Sequence, residues 1–355
     1  MKTAHAEVTV DVIVPARNEE DCLGRCLRSL TAQQGISFQI TVVDDGSTDR
    51  TRAIAESFPQ VRVLSAAEPS PGMTGKCNAV ITGAAGSTAQ WLLFTDADTF
   101  HYPGSLAAAV NEAEERHVDL LSYSPEQEVR SWWELAVMPL VFADLVRTYP
   151  SEKVNDPTHS TVAANGQYIL VQRKVYEQLG GHKAVGYKIL EDVELARIFK
   201  VSHHRIWFRQ GEGLVRTRMY RTFHTMWEGW TKNLALLFRH PLALAAMRGM
   251  DFLTIALLLG LGLFLVDRDK FRDGAFLFGL GAFFYLTFIL RIRRAHFPWR
   301  ANLMSFLGLP LFVSLLVRSY LHTTVRGELR WKGRKYSQSA PEAPSTSSTQ
   351  KGDLN

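Results

Sequence analysis

Trp91-Leu92-Leu93-Phe94-Thr95-Asp96-Ala97-Asp98 is an apolar run that ends abruptly on two carboxylates. A short apolar run bounded this way reads as a buried strand. Carboxylates two residues apart at its end can both reach a hard cation, directly or through water, and Mg2+ or Mn2+ held so keeps open positions for diphosphate oxygens. The competing reading is a solvated turn, because Asp-x-Asp arises often by chance. The setting decides between them: Asp96 and Asp98 close the third acidic strand end in a row.

Working outward, apolar runs at Val8–Val14, Gln39–Val43, Val61–Leu64, Trp91–Phe94 and Val118–Leu121 alternate with helix-length segments at Glu19–Gln34, Thr48–Phe58, Lys76–Ala85 and Gly104–Arg116. Continuous apolar runs mark strands covered on both faces, so the expected fold is α/β with a mainly parallel sheet and flanking helices. Such sheets bind ligands at the carboxyl ends of their strands. Further on, Thr161–Gln172 reads as a strand, Glu191–Lys200 as a helix and Arg205–Arg209 as a strand.

The strand ends carry the chemistry. Pro15-Ala16-Arg17-Asn18-Glu19-Glu20 follows the first, and Asp44-Asp45-Gly46-Ser47-Thr48-Asp49 follows the second. Carboxylates at adjacent strand ends can accept hydrogen bonds from a base edge or a ribose. Helix capping accounts for Ser47, Thr48 and Asp49 but not for the doubled Asp44-Asp45. Gly75-Lys76 opens a helix, where an ammonium and backbone N–H groups meet phosphate, or where an exposed lysine simply starts the helix. Glu191-Asp192 opens another: a carboxylate there can take a proton from an acceptor hydroxyl, or can serve as an acidic cap. Cys22 and Cys26 have no partner pair and read as small buried residues of the first helix, and the adjacent His203-His204 point to opposite faces of a strand start.

The chain has 355 residues, 46% of them hydrophobic, with 40 Lys+Arg against 35 Asp+Glu. That apolar content excludes general disorder, three cysteines exclude a disulfide framework, and an excess of +5 is too diffuse to argue for nucleic acid. The apolar residues concentrate late, at 252–266, 274–290 and 303–320, within a membrane region expected over 241–320. Segments 130–147 and 219–239 mix tryptophans with charges and read as helices at the membrane interface, completing a catalytic unit of residues 1–240. Met1–Val14 lacks a secretory signal, so the unit is expected to face the cytoplasm at the cell's inner membrane. The loop at 267–273 then lies outside and the basic loop 291–300 inside. Three full spans place the basic juxtamembrane segment 321–336 outside, against the positive-inside rule. The third segment, which holds Gly308 and Pro310, therefore returns, or another segment crosses. The Ser/Thr/Pro-rich stretch 337–355 reads as a disordered tail.

Taken in order, VIVPARNEE, VVDDGSTD, TGK with Asn78, FTDAD, Asn165-Gly166-Gln167, LEDVELA and WEGWTKN resemble family 2 glycosyltransferases of the GT-A fold, from about Val8 to Asn233. The apolar segments after the catalytic part are similar to the membrane-anchored branch containing carotenoid- and hopanoid-associated enzymes and ceramide glucosyltransferases. The resemblance implies that Asp45 binds the uracil or ribose of a UDP-sugar, with Pro15, Arg17, Glu19 and Asp44 in the same pocket and Lys76 and Asp96 at the phosphates. It implies that Asp98 with Asp96 holds the metal, and that Asp192 is the base of an inverting transfer to a lipid hydroxyl. Asn165, Gly166, Glu191, Trp227, Trp230 and Lys232 are then on the acceptor and membrane side. A polyprenyl phosphate acceptor, or a non-catalytic nucleotide-sugar-binding scaffold, are the alternatives. One departure is that Met226-Trp227-Glu228-Gly229-Trp230 stands where processive members carry Gln-x-x-Arg-Trp, which sets the chain apart from polymer synthesis.

Overall fold

The computed structural model describes residues 9–326, 328–331 and 334–337. The N-terminal unit runs β1 (Val10–Ala16), α1 (Leu23–Thr31), β2 (Phe38–Asp44), α2 (Thr51–Glu56), β3 (Val61–Ser65), α3 (Gly75–Ala84), β4 (Trp91–Thr95), β5 (Thr99–His101), α4 (Ser105–Glu115), β6 (Leu120–Ser124) and β7 (Glu126–Gln127). It continues through α5 (Trp132–Thr148), α6 (Ser151–Asn155), β8 (Tyr168–Gln172), α7 (Arg173–Gln178), α8 (Gly181–Val185), α9 (Glu191–Val201), β9 (Ile206–Gln210), β10 (Val215–Thr217) and α10 (Phe223–Leu237). Long apolar helices follow: α11 (Pro241–Asp267), α12 (Phe271–Ile292) and α13 (Trp299–Tyr320), then the short strands β11 (Glu328–Trp331) and β12 (Arg334–Ser337).

The seven-stranded sheet has the order β3-β2-β1-β4-β8-β6-β9. All its pairs are parallel except those of β8, which runs antiparallel to β4 and β6. The carboxyl ends of β1, β2 and β4 therefore share one edge. Val12, Val14, Ile40, Val42, Leu92 and Leu93 are fully or almost fully buried, as expected for a sheet with helices on both faces. A small sheet, β5-β10-β7, lies beyond the end of β4; nothing in the apolar pattern announced it, because its strands have only two or three residues each.

Several element boundaries differ from the sequence expectations, for local reasons. Residues 18–20 stay outside α1 because their amides are taken by the facing loop: Asn18 N–H donates to Ser47 Oγ, Glu19 to Thr51 Oγ1 and Glu20 to Asp49 Oδ2. Helix α2 starts later than expected because Asp49, rather than Ser47 or Thr48, accepts from the Thr51 amide. Strand β8 starts only at Tyr168, since Asn165 Oδ1 accepts from the Gln167 amide and turns the chain just before it.

Helix α5 was expected to lie on a membrane surface. It is instead a core helix, with Trp133 and Ala136 through Asp144 buried, and exposure confined to its ends, at Trp132 (61%) and at Arg147 and Thr148. Gly308 of α13 sits directly on the Ala136 carbonyl, which leaves no room for a side chain. Helix α10 is also packed, with Met226, Trp230 and Leu234 buried against the same layer. Helix α13 runs as one helix through Gly308 and Pro310. Three helices, over Pro241–Asp267, Phe271–Ala295 and Trp299–Thr323, are long and apolar enough to cross a bilayer. The tail expected at 337–355 falls, from 338 on, outside the described residues.

Helix α3 seats on the sheet through Gly83, where an added Cβ would lie 2.6 Å from a methyl carbon of Ile13 and 3.0 Å from one of Val43. Gly83→Val overpacks this contact and is expected to cost about 1–3 kcal/mol. A thermal midpoint unchanged from the parent in detergent solution would contradict it.

Candidate active site

Strand β1 delivers Pro15 and Arg17 to the sheet edge, and β2 delivers Asp44 and Asp45 beside them. Ala16 pairs with Asp44, and the Asp45 amide donates to the Ala16 carbonyl. The Arg17 guanidinium donates to the Asp45 carbonyl at 2.9 Å and approaches its carboxylate at 3.5 Å. Asp44 turns inward to accept from the Ser47 amide at 3.2 Å, so its carboxylate shapes the turn on which Asp45 stands.

On the neighbouring strand end the charges converge. Thr74 caps α3 by accepting from the Cys77 amide, and this fixes the start of the helix that carries Lys76. The Lys76 ammonium lies 2.7 Å from Asp96 Oδ1 and 3.7 Å from Glu191 Oε1. Asp192 Oδ2 accepts from the Gly166 amide and Oδ1 from the Val193 amide, each at 2.8 Å. Gly166 is needed at that point: a Cβ would meet the Lys76 ammonium at 3.2 Å and the Asp192 carboxylate at 3.4 Å. Burial alone would neutralise Lys76, but Asp96 and Glu191 outweigh it and hold the ammonium charged well above the usual lysine range. Burial pushes the Glu191 and Asp192 carboxyls up, with Lys76 opposing.

Asp98 stands on the other side of this group. Burial, then the charges of Asp96 and Glu19, raise its carboxyl to about 7, and its buried Oδ1 has no hydrogen-bond partner. The loop is braced from below by neutral groups: Thr99 Oγ1 donates to the Asp96 carbonyl at 2.7 Å, and His101 Nε2 lies 3.2 Å from Thr95 Oγ1 and 3.0 Å from Thr99 Oγ1. Burial drops the His101 ring to about 3, so it braces the loop uncharged. An orphaned, proton-hungry carboxylate oxygen with a second carboxylate two residues away fits a hard divalent cation. Among the described residues no three His, Cys, Asp or Glu side chains form a cage. A cation held here by Asp98 and Asp96 would draw its remaining oxygens from phosphate and water, which is the usual habit of Mg2+.

Facing Asp98 is a cavity of about 90 Å³ lined by Cys22, Arg25, Arg130, Arg218 and Arg221. Arg25 and Arg130 share Glu128, and Arg218 is paired with Glu134. The Cys22 thiol donates to Glu19 Oε2, and burial, reinforced by Glu19, pushes its pKa far up, so it is inert. Arg25 and Arg130 drew no role from the sequence, because only the fold brings them to Asp98. His101 had no signal either, since its role depends on the fold bringing Thr95 and Thr99 under one ring.

The acceptor-side residues separate. Asn165, Gly166 and Glu191 border the cleft, and Lys232 faces Glu191 from α10, with burial lowering its pKa against that carboxylate's pull. Trp227 is half-buried and stacks on Phe223. Trp230 corrects the sequence expectation: it is 2% exposed, edge-on to Tyr220 and Phe142, so its ring belongs to the core and is closed to an acceptor.

The profile described as Glycosyl transferase family 2 matches residues 11–180, the stretch that supplies every strand end just described except the opening of α9. Residues 11–180 are a glycosyl transferase family 2 domain. Its fold is accordingly GT-A-like, and the protein is a glycosyltransferase. It is similar to 4,4'-diaponeurosporenoate glycosyltransferase of Staphylococcus aureus strain MRSA252, 28% identical over 336 residues that cover 92% of this chain and 88% of the relative. The same enzyme from strain USA300 is 28% identical over 338 residues, with the same coverage. Among solved structures, the mannosyltransferase PcManGT from Pyrobaculum calidifontis, in complex with GDP-Man and Mn2+, is similar at 17% identity and a TM-score of 0.49, over 91% of this chain and 88% of that one. S. aureus TarS 1-349 in complex with UDP-GlcNAc is similar at 16% identity and a TM-score of 0.44, over 95% and 98%.

In this glycosyltransferase the raised Asp98 carboxyl means that the folded protein holds that proton more tightly than the unfolded chain does. Its contribution to stability is full below the unfolded value near 4 and is lost as pH rises through about 7. Asp98→Asn in the ligand-free protein is therefore expected to melt above the parent at about pH 8, with the gap closing towards about pH 4. Equal midpoints at both ends of that range would refute the shift.

Proposed function

We propose that the glycosyltransferase moves a hexose from a UDP-sugar to a hydroxyl of a membrane lipid, with inversion at the anomeric carbon and with Mg2+ or Mn2+ bound at Asp98 and Asp96. The observation that carries this reading is the single cleft in which Asp192, Lys76, Asp96 and Asp98 meet, beside α10 and its apolar helix layer. The names of the carotenoid relatives support a lipid-like acceptor. Asp45, Arg17, Pro15 and Glu19 form the pocket proposed for the uridine.

The acceptor hydroxyl approaches from the α10 side. Asp192, held in orientation by the Gly166 and Val193 amides, accepts its proton as the oxygen attacks the anomeric carbon. The new C–O bond forms on the face opposite UDP while the bond to the β-phosphate oxygen breaks, and the electron pair leaves with UDP. Lys76 keeps its charge throughout, which limits repulsion between Asp192 and Asp96 and presents an ammonium to the phosphates. When bound, the cation neutralises charge on the leaving diphosphate. The burial that raises Asp192 makes it a better base than a solvated aspartate.

A second reading draws on the arginines beside Asp98: an acceptor that is already ionised, such as a polyprenyl phosphate or a carboxylate. The substrate in the relatives' name, a carboxylate, is of that kind. An ionised acceptor needs no base, so one variant separates the readings. For a hydroxyl acceptor, Asp192→Asn is expected to lower kcat by about 10²-fold or more with the donor KM nearly unchanged; for an anionic acceptor the loss is small.

Purified protein incubated with labelled UDP-glucose, Mg2+ and host lipid extract is expected to yield a new glycolipid by mass spectrometry. Asp98→Ala is expected to yield none while remaining folded. Full turnover by Asp98→Ala would remove the metal role.

A further inference from the structure

Helices α11 and α12 form an antiparallel hairpin whose backbones meet closely. A Cβ on Gly262 would lie 2.6 Å from the Phe278 amide nitrogen, and one on Gly274 would lie 2.7 Å from the Gly262 carbonyl. The base of the hairpin is tied to the catalytic unit: Arg248 pairs with the buried Asp144 of α5, and Asp251 pairs with both Arg248 and Arg291. Beyond that base the surface is apolar and open, with Leu257, Leu263, Phe264, Phe276 and Phe283 all more than half exposed. The tip, 267–273, is densely charged. From Asp251 to Asp267 the helix rises ~24 Å, close to the hydrocarbon thickness once flanking charges reach outward.

Helix α13 has the same span-like length and composition but a different setting. At its start, His296 lies 3.2 Å from Glu212, in the loop between β9 and β10, and Phe297 packs on Phe142 of α5. In its middle, Gly308 rests on the Ala136 carbonyl. At its end, Ser319 Oγ accepts from the Ala235 amide of α10 at 2.8 Å, and Arg318 lies over the Trp227 ring. Both ends and the centre are thus fastened to catalytic-unit elements. Of those elements, α10 carries exposed His224 and Glu228, which hydrocarbon would not tolerate. Helix α13 also touches the hairpin, with Phe306 stacked on Phe252 beside its base and Tyr285 donating to the Leu303 carbonyl, but its fastening to the catalytic unit at both ends and the centre keeps it with that unit. Its outward face carries Leu303, Leu307, Pro310, Val317 and Leu321. Strand β11 then runs beside α10.

We propose that α13 lies along the membrane surface with that outward face in contact with lipid, so that the chain crosses the bilayer twice, by α11 and α12, and the basic segment after α13 stays on the side of the active site. The charge pattern agrees: Arg326, Arg330, Lys332, Arg334 and Lys335 then share a side with the basic loop 291–300, as the positive-inside rule asks.

Full-length protein carrying one added cysteine at Glu115, Asp269 or Ser347 tests this with a membrane-impermeant maleimide on intact and permeabilised cells; the native Cys22, Cys26 and Cys77 are buried. Ser347→Cys is expected to label together with Glu115→Cys and oppositely to Asp269→Cys. Labelling of Ser347→Cys with Asp269→Cys would mean a third span and overturn the proposal, as would Asp269→Cys labelling with Glu115→Cys. Spin labels at Leu303, Leu307 and Val317 give a second readout in proteoliposomes. A surface helix puts them at one depth, whereas a span spreads Leu303 and Val317 by about 21 Å. None of these outcomes depends on which sugar or acceptor the enzyme uses.

Discussion

The ammonium of Lys76 is what allows the rest of the cleft to exist. It is surrounded by the carboxylates of Asp96, Glu191 and Asp192, and burial pushes the last two towards neutrality. Without a cation among them they would take up protons or repel each other apart, and neither state serves a donor phosphate or a base. Removing one partner of a fully buried charge pair typically costs about 3–5 kcal/mol, and the partial exposure of Lys76 and Asp96 puts this group below that range. The fold assembles this group from four separate stretches: the start of α3, the end of β4, the turn before β8 and the start of α9.

The same logic links the cleft to the apolar helices. Glu134 closes the capping box of α5 by accepting from the Ser131 amide, and its carboxylate also holds Arg218. At the far end of α5, Asp144 anchors Arg248 of α11. Helix α10 brings Lys232 to Glu191 on one face and packs Met226, Trp230 and Leu234 on α5 and α13 on the other. The candidate active site and the long apolar helices are therefore joined through one hydrophobic layer, and only Phe238–His240 separate α10 from α11.

Much of this could be read directly from the residues. The apolar runs located β1 to β4, β6 and β9 to within a few residues, since burial on both faces leaves a strong one-dimensional pattern, whereas the turn at Asn165 delayed β8. The strand-end motifs fall on one rim because parallel strands put their carboxyl ends together. The parts that were hidden depend on contacts between distant segments. Trp230 looks like a stacking platform in sequence, and only the packing of Phe142 and Tyr220 around it shows a core residue. The covering of α5 was invisible because Gly308 carries no hydrophobic signal, although its missing side chain is what lets α13 descend onto Ala136. The neutral brace of Thr95, Thr99 and His101 resembles any polar strand end until the sheet closes it off from water.

Gly83 has one more consequence. Helix α3 is pressed tightly on Ile13 and Val43, a close backbone contact that resists sliding of the helix along the sheet. In the proposed reaction, any adjustment to the donor phosphates falls mainly to rotation within the four-carbon stem of Lys76, a displacement of a few ångströms at its tip. Such a swinging arm on a fixed mount resets within nanoseconds, so the electrostatic balance of the cleft is restored between turnovers far faster than any helix could move.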